Sequence, residues 1–185
     1  MTAAFEGESG LGIRAHFFNF ATEDGSANQF FDVQMYDLEA TNRLNLGNWD
    51  FLLFGGVRGG QIDYVSFAGG GRASFNGVGM TAGAEARRSI TDGLSLVAAA
   101  RQTFLYGNNS NAAFGVTLDN TMVPITELRL GVDYTMWFEN GMNAVLGVGY
   151  EHQQYQSLSV RGFTIDPEDV DVALAGPVVS LMVRF

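Results

Sequence analysis

The carboxy-terminal stretch alternates without a break. Counting back from Phe185, the residues Val183, Leu181, Val179 and Pro177 are apolar, and Arg184, Met182 and Ser180 fall between them. A period of two puts alternate side chains on opposite faces, so the stretch reads as a β-strand with one apolar side and one mostly polar side. The alternation recurs upstream. Over 127–138, Leu128, Leu130, Val132, Tyr134, Met136 and Phe138 share one face, while Glu127, Arg129, Gly131, Asp133, Thr135 and Trp137 share the other. Ala144, Leu146, Val148 and Tyr150 oppose Asn143, Val145, Gly147, Gly149 and Glu151. Val78, Met80, Ala82, Ala84 and Ala86 oppose Gly79, Thr81, Gly83, Glu85 and Arg87, and Tyr36, Leu38, Ala40, Leu44 and Leu46 oppose Asp37, Glu39, Thr41, Arg43 and Asn45. The pattern predicts eight strands, at about 10–22, 31–46, 49–65, 73–90, 94–107, 123–138, 142–157 and 171–185.

The connections sort by length. Gly47-Asn48, Thr91-Asp92-Gly93 and Glu139-Asn140-Gly141 are tight, and the last two carry Asp-Gly and Asn-Gly pairs of the hairpin kind. The others, from Glu23 to Asn28, Ser66 to Arg72, Asn108 to Asn120 and Leu158 to Val170, are longer and alternate with the tight ones. Short turns at one end and long loops at the other are the habit of outer-membrane barrels. In such a barrel the apolar face points to lipid and the polar face fills the interior, the reverse of a soluble barrel. Trp49, Tyr134, Phe138 and Phe185 fall near strand ends on the apolar parity, as an interfacial girdle would. Val179, Leu181, Val183 and Phe185 then form the insertion signature through which the last strand would meet the barrel-assembly machinery. The expectation is an all-β, eight-stranded antiparallel up-and-down transmembrane β-barrel, one domain over 1–185, in the bacterial outer membrane with lipids as its partners. Val33 and Met35 sit on the polar parity of the second strand, which predicts a β-bulge or a strand running on beyond the bilayer.

Composition narrows the field. At 185 residues the chain makes one domain, and a net charge of −10 argues against a nucleic-acid partner. With no Cys there is no disulfide scaffold and no thiolate metal site. No run approaches the ~20 apolar residues of a membrane helix. Met1-Thr2-Ala3-Ala4-Phe5-Glu6 lacks the basic start and apolar run of a signal peptide, which reads as a mature segment with an added Met or as a fragment.

All ten basic residues are Arg. The guanidinium is a planar, weakly hydrated fork that suits buried ion pairs better than the Lys ammonium. Most of these fall on the polar parity: Arg14, Arg43, Arg58, Arg87, Arg101, Arg129 and Arg184, against Asp37, Glu39, Glu85, Glu127, Asp133 and Glu151. An eight-strand interior is filled by side chains, and ions inside it must be paired. Neighbouring strands would set Glu39 near Arg58, Arg58 near Glu85, and Glu127 or Asp133 near Glu151 and the flanking Arg. The network reads either as a charged constriction passing small ions or as an electrostatic plug.

Tyr36-Asp37-Leu38-Glu39-Ala40-Thr41, Gly47-Asn48-Trp49, Gly55-Gly56-Val57-Arg58 and Ile62-Asp63-Tyr64 resemble blocks of the Legionella-type pore-forming outer membrane protein family, which has many planctomycete relatives. Gly77 to Arg88 and Glu127 to Tyr134 resemble later blocks. The resemblance implies a barrel in the outer membrane. The chain departs from the family at Gly59-Gly60, where bulkier residues are expected.

Other chemistry is sparse. His16 falls on the inward parity, and His152, beside Glu151, would with Ser157 or Ser159 be the candidate pair of an outer-membrane enzyme acting on lipid or peptide. Asp166, Glu168, Asp169 and Asp171 form an acidic cluster that could hold Ca²⁺, although it lacks the Gly spacing of an EF-hand loop. No cofactor is expected. Besides the porin-like or structural barrel and that enzyme, a soluble lipocalin-like barrel is the remaining alternative; it would bury Leu128, Leu130 and Val132 together.

Overall fold

A computed structural model of the protein describes residues 1–24, 29–65, 72–111, 115–139, 141–160 and 168–184. The strands are β1 (Thr2–Glu6), β2 (Leu11–Asp24), β3 (Gln29–Leu46), β4 (Trp49–Val65), β5 (Arg72–Ser89), β6 (Leu94–Asn111), β7 (Val116–Trp137), β8 (Asn143–Val160) and β9 (Glu168–Arg184). They pair in chain order in one antiparallel up-and-down sheet. The all-β meander is as expected, but the strands number nine rather than eight. The extra one, β1, is a short hairpin partner laid on Gly12–His16 of β2. Its five residues were too few to register as an alternating run.

The strands also run farther than expected. β6 continues to Asn111, β7 begins at Val116, and β8 and β9 reach Val160 and Glu168, so much of the sequence expected as long loops is strand. Gly47, Gly93 and Gly141 hold the tight turns with positive φ. Irregularities fall between Gly107 and Asn109 and between Tyr155 and Leu158, where Asn120 and Ser157 adopt positive φ.

The sheet curls until strands far apart in sequence meet: the rings of Phe31 on β3 and Tyr155 on β8 lie 5.5 Å apart. Among the described residues no pairing joins β1 to β9. The two edges run in the same direction, so they cannot make the antiparallel ladder that joins every other neighbour.

The face pattern inverts along the strand axis. Toward the tight-turn end the outer surface is apolar, with Leu38, Val57, Met80, Leu130, Val179 and Leu181 all exposed. This band is roughly ten residues deep on most strands, the span a tilted strand needs to cross hydrocarbon. Nearer the loops the outer positions turn polar and the interior turns apolar. Val33, Ile62, Phe75, Leu105, Val123, Ile125 and Leu158 are fully buried there, with Met35, Tyr64 and Tyr155 beside them. Val33 and Met35 therefore mark no bulge, since the β3–β4 register is unbroken from Phe31↔Tyr64 to Leu46↔Trp49. They sit beyond the outer apolar band, where the strand's outer face has turned polar and its inner face has become an ordinary core.

Inward glycines let strands and side chains approach. A β-carbon on Gly60 would strike the Met35 side chain, so the bulk expected at Gly59-Gly60 is supplied from the next strand. At Gly79 a β-carbon would run into the Phe104 carbonyl and come within 2.9 Å of Leu105 Cα. Outward-facing Gly59 has its nearest neighbour, the Gly77 carbonyl oxygen, at 3.9 Å. Gly79→Ala is expected to cost about 1–3 kcal/mol through forced strand displacement, and Gly59→Ala to be tolerated. Urea titration of the two variants in vesicles separates them.

Candidate functional site: the charged interior

Below the apolar core, the inward parity brings the charged residues together. Arg58 is at the centre. Its Nε donates to Asp37 Oδ1 at 2.5 Å and its Nη2 to Asp37 Oδ2 at 2.9 Å, the two-pronged geometry that only a guanidinium offers. Its Nη1 reaches across the interior to Glu127. Arg101 donates to Glu39 Oε1 at 2.9 Å, to Asp37 Oδ2 at 3.2 Å and to Glu127 Oε2 at 3.4 Å. Arg14 Nε closes the other side of Glu39 at 2.7 Å, and His16 Nδ1 lies 3.0 Å from Asp37 Oδ2. Asp37, Glu39 and Arg58 are all at least 95 % buried. Isolated ions at that depth would each cost several kcal/mol, so the pairing is a condition of folding.

Smaller groups flank this cluster. Arg87 lies between Asp133, at 2.6 Å, and Glu85, at 3.3 Å. Arg43 lies between Asp50, at 2.5 Å, and Glu6, at 2.9 Å. Arg129 donates to Ser180 Oγ at 3.3 Å, and Glu151 accepts from Gln153 at 2.5 Å. The expected pairs Glu39–Arg58 and Arg58–Glu85 do not form among the described ion pairs, whereas Glu127 meets Arg58 and Arg101, and Asp133 meets Arg87. The reason is curl. Expectation followed neighbouring strands, whereas Arg58 to Glu127 joins β4 to β7, and Arg101 to Asp37 and Glu39 joins β6 to β3, across the interior.

Several participants escaped the sequence reading. Phe54 faces inward on β4 and is covered by Arg14, 4.3 Å from the ring centroid, and Arg101, at 5.0 Å. Its parity with Arg58 and Ile62 was the available signal. Glu6 and Asp50 belong to the rim through Arg43, and Ser180 joins through Arg129. A cavity of about 320 Å³ borders the cluster, lined in part by Arg14, His16, Arg58, Glu127, Arg129 and Tyr155.

Val179, Leu181 and Val183 are exposed on the outer face of β9; Phe185 and the Arg184 side chain lie outside the described residues. His152 stands in register between Leu128 and Ala175 on the outer face, and the Ser159 side chain lies outside the description. Asp171 Oδ1 accepts the Ser157 amide at 3.0 Å, holding the β8 irregularity. Asp166 and the side chains of Glu168 and Asp169 lie outside the described residues.

The model of the protein family described as "Legionella pneumophila major outer membrane protein precursor" matches residues 26–185. No curated protein matches the chain.

Proposed function

Since the chain belongs to the Legionella major outer membrane protein family and so sits in the bacterial outer membrane, we propose that it is a structural barrel whose interior is filled rather than a free diffusion channel. The observation that carries this reading is the stacking of two tiers. The ion-paired tier lies within the lipid-facing band. Above it, Val33, Ile62, Phe75, Leu105, Val123 and Ile125 pack at 0 % exposure. Ions crossing such a layer would have to shed their water for few replacement ligands, since the buried Asn109 amide is already engaged with the Tyr64 hydroxyl at 2.6 Å. The Arg–carboxylate tier then serves to space the strands and fill the interior. Lipids contact the outer face, and the exposed Val179, Leu181 and Val183 are the positions through which the assembly machinery would engage the last strand. The porin-like reading, in which small ions pass, draws support from the cavity bordered by Arg14, Arg58 and Glu127.

Conductance in a planar bilayer decides between them. Protein that shows a heat-modifiable gel shift is expected to give no steady current steps. Salt-dependent steps whose ion selectivity changes in Arg58→Glu would overturn the filled-barrel reading in favour of the porin-like one.

A further inference from the structure

On the outer surface just above the apolar band, five amide side chains stand in one register row across five adjacent strands. Asn19 pairs with Gln34, Gln34 with Gln61, Gln61 with Asn76, and Asn76 with Asn108. All are exposed. Among the described residues only Gln61 of the five makes a side-chain hydrogen bond, to Asp63 Oδ2 at 2.8 Å. The row below is Phe17, Tyr36, Gly59, Val78 and Tyr106, with the Phe17 and Tyr36 rings 5.0 Å apart and both tyrosines more than half exposed. The row above carries Asp32, Asp63, Ser74 and Ser110.

We propose that this strip binds the sugar head groups of an outer-leaflet glycolipid. The strip is continuous with the lipid-facing band and lies on its loop side, which in this class of barrel is the outer side. A molecule whose chains lie along the band therefore presents its head group here. A side-chain amide both donates and accepts, which matches a polyhydroxylated ring, and the tyrosines beneath offer flat apolar faces with hydroxyl tips. The charges exclude a phosphate as the main ligand. Asp32 and Asp63 stand opposite each other above the row, and Arg72, the cation near it among the described residues, is stacked on Phe30 at 4.0 Å from the ring centroid.

The full chain, folded in phosphatidylethanolamine vesicles, is heated with added digalactosyldiacylglycerol, which has sugar and no phosphate, or phosphatidylglycerol, which has phosphate and no sugar. The readout is the temperature at which the folded gel band converts. The galactolipid is expected to raise it by about 4 °C, phosphatidylglycerol to leave it unchanged, and the triple variant Gln34→Ala/Gln61→Ala/Asn76→Ala to lose the rise while converting normally without galactolipid. Gln34→Ser/Asn76→Ser serves if the triple variant does not reach the folded band. An equal rise with phosphatidylglycerol, no rise with the galactolipid, or a rise retained in the variants would overturn the proposal.

Discussion

Replacing Arg58 by Met destabilises the folded barrel by about 3–5 kcal/mol, which lowers its urea midpoint by roughly 1–3 M. The Arg58 side chain is 3 % exposed and the Asp37 side chain 0 %. Removing the guanidinium takes away both prongs of its grip on Asp37 and leaves that carboxylate with His16 at 3.0 Å and Arg101 at 3.2 Å. The penalty comes from the carboxylate left behind more than from the bond lost. Asp37→Leu/Arg58→Met, which removes both charges, should therefore recover most of the loss. Arg58→Lys should fall between, because an ammonium keeps the charge but cannot fork onto both oxygens while reaching Glu127. If the single variant unfolds at the parental midpoint, the pair contributes nothing to stability, and the interior is far wetter than its burial implies.

Phe75→Ala costs about 3–5 kcal/mol for a different reason. The ring is fully buried in the apolar tier, with Ile62, Leu105, Val123 and Ile125 in the same cluster. Its removal opens a hole that rigid strands cannot collapse to fill. The variant also tests the filled barrel directly. With Leu105→Ala added, the apolar tier loses two of its fully buried side chains, and a bilayer carrying this protein should show current steps that the parent lacks. Silence from the folded double variant would place the barrier in the ion-paired tier instead. Stability is read by urea titration of the same vesicles, so a silent sample that never folded is recognised.

The two variants probe opposite halves of one strand pattern, and only one half was legible. The lower half of each strand announces itself because alternation of Leu38, Ala40, Leu44 with Asp37, Glu39, Arg43 has one physical solution in an outer-membrane barrel. The upper half alternates as well, with Val33 and Met35 inward and Asp32 and Gln34 outward. There the sense is reversed, and carrying the lower parity upward leaves a defect and a strand that outruns the bilayer as equal readings. A strand of β3's length crosses two solvents, and periodicity reports that faces differ without saying which solvent each meets. Phe54 was lost for a related reason: an aromatic among charged residues looks misplaced until two guanidinium groups are found stacked on it.

The sequence by itself determined the local terms. It specified antiparallel strands through period-two alternation, tight turns through Gly47, Gly93 and Gly141, the inward parity of the charged residues, and the membrane address through the exposed apolar face. Those properties depend on residues near one another in the chain. The tertiary structure decided which charges meet, because Arg58 finds Glu127 and Arg101 finds Glu39 only after the sheet has curled and staggered. It also decided where the bilayer ends along each strand and that a ninth strand lies against β2. Each of these depends on how distant segments are aligned, and a shift of register by two residues would leave every face intact while exchanging every partner.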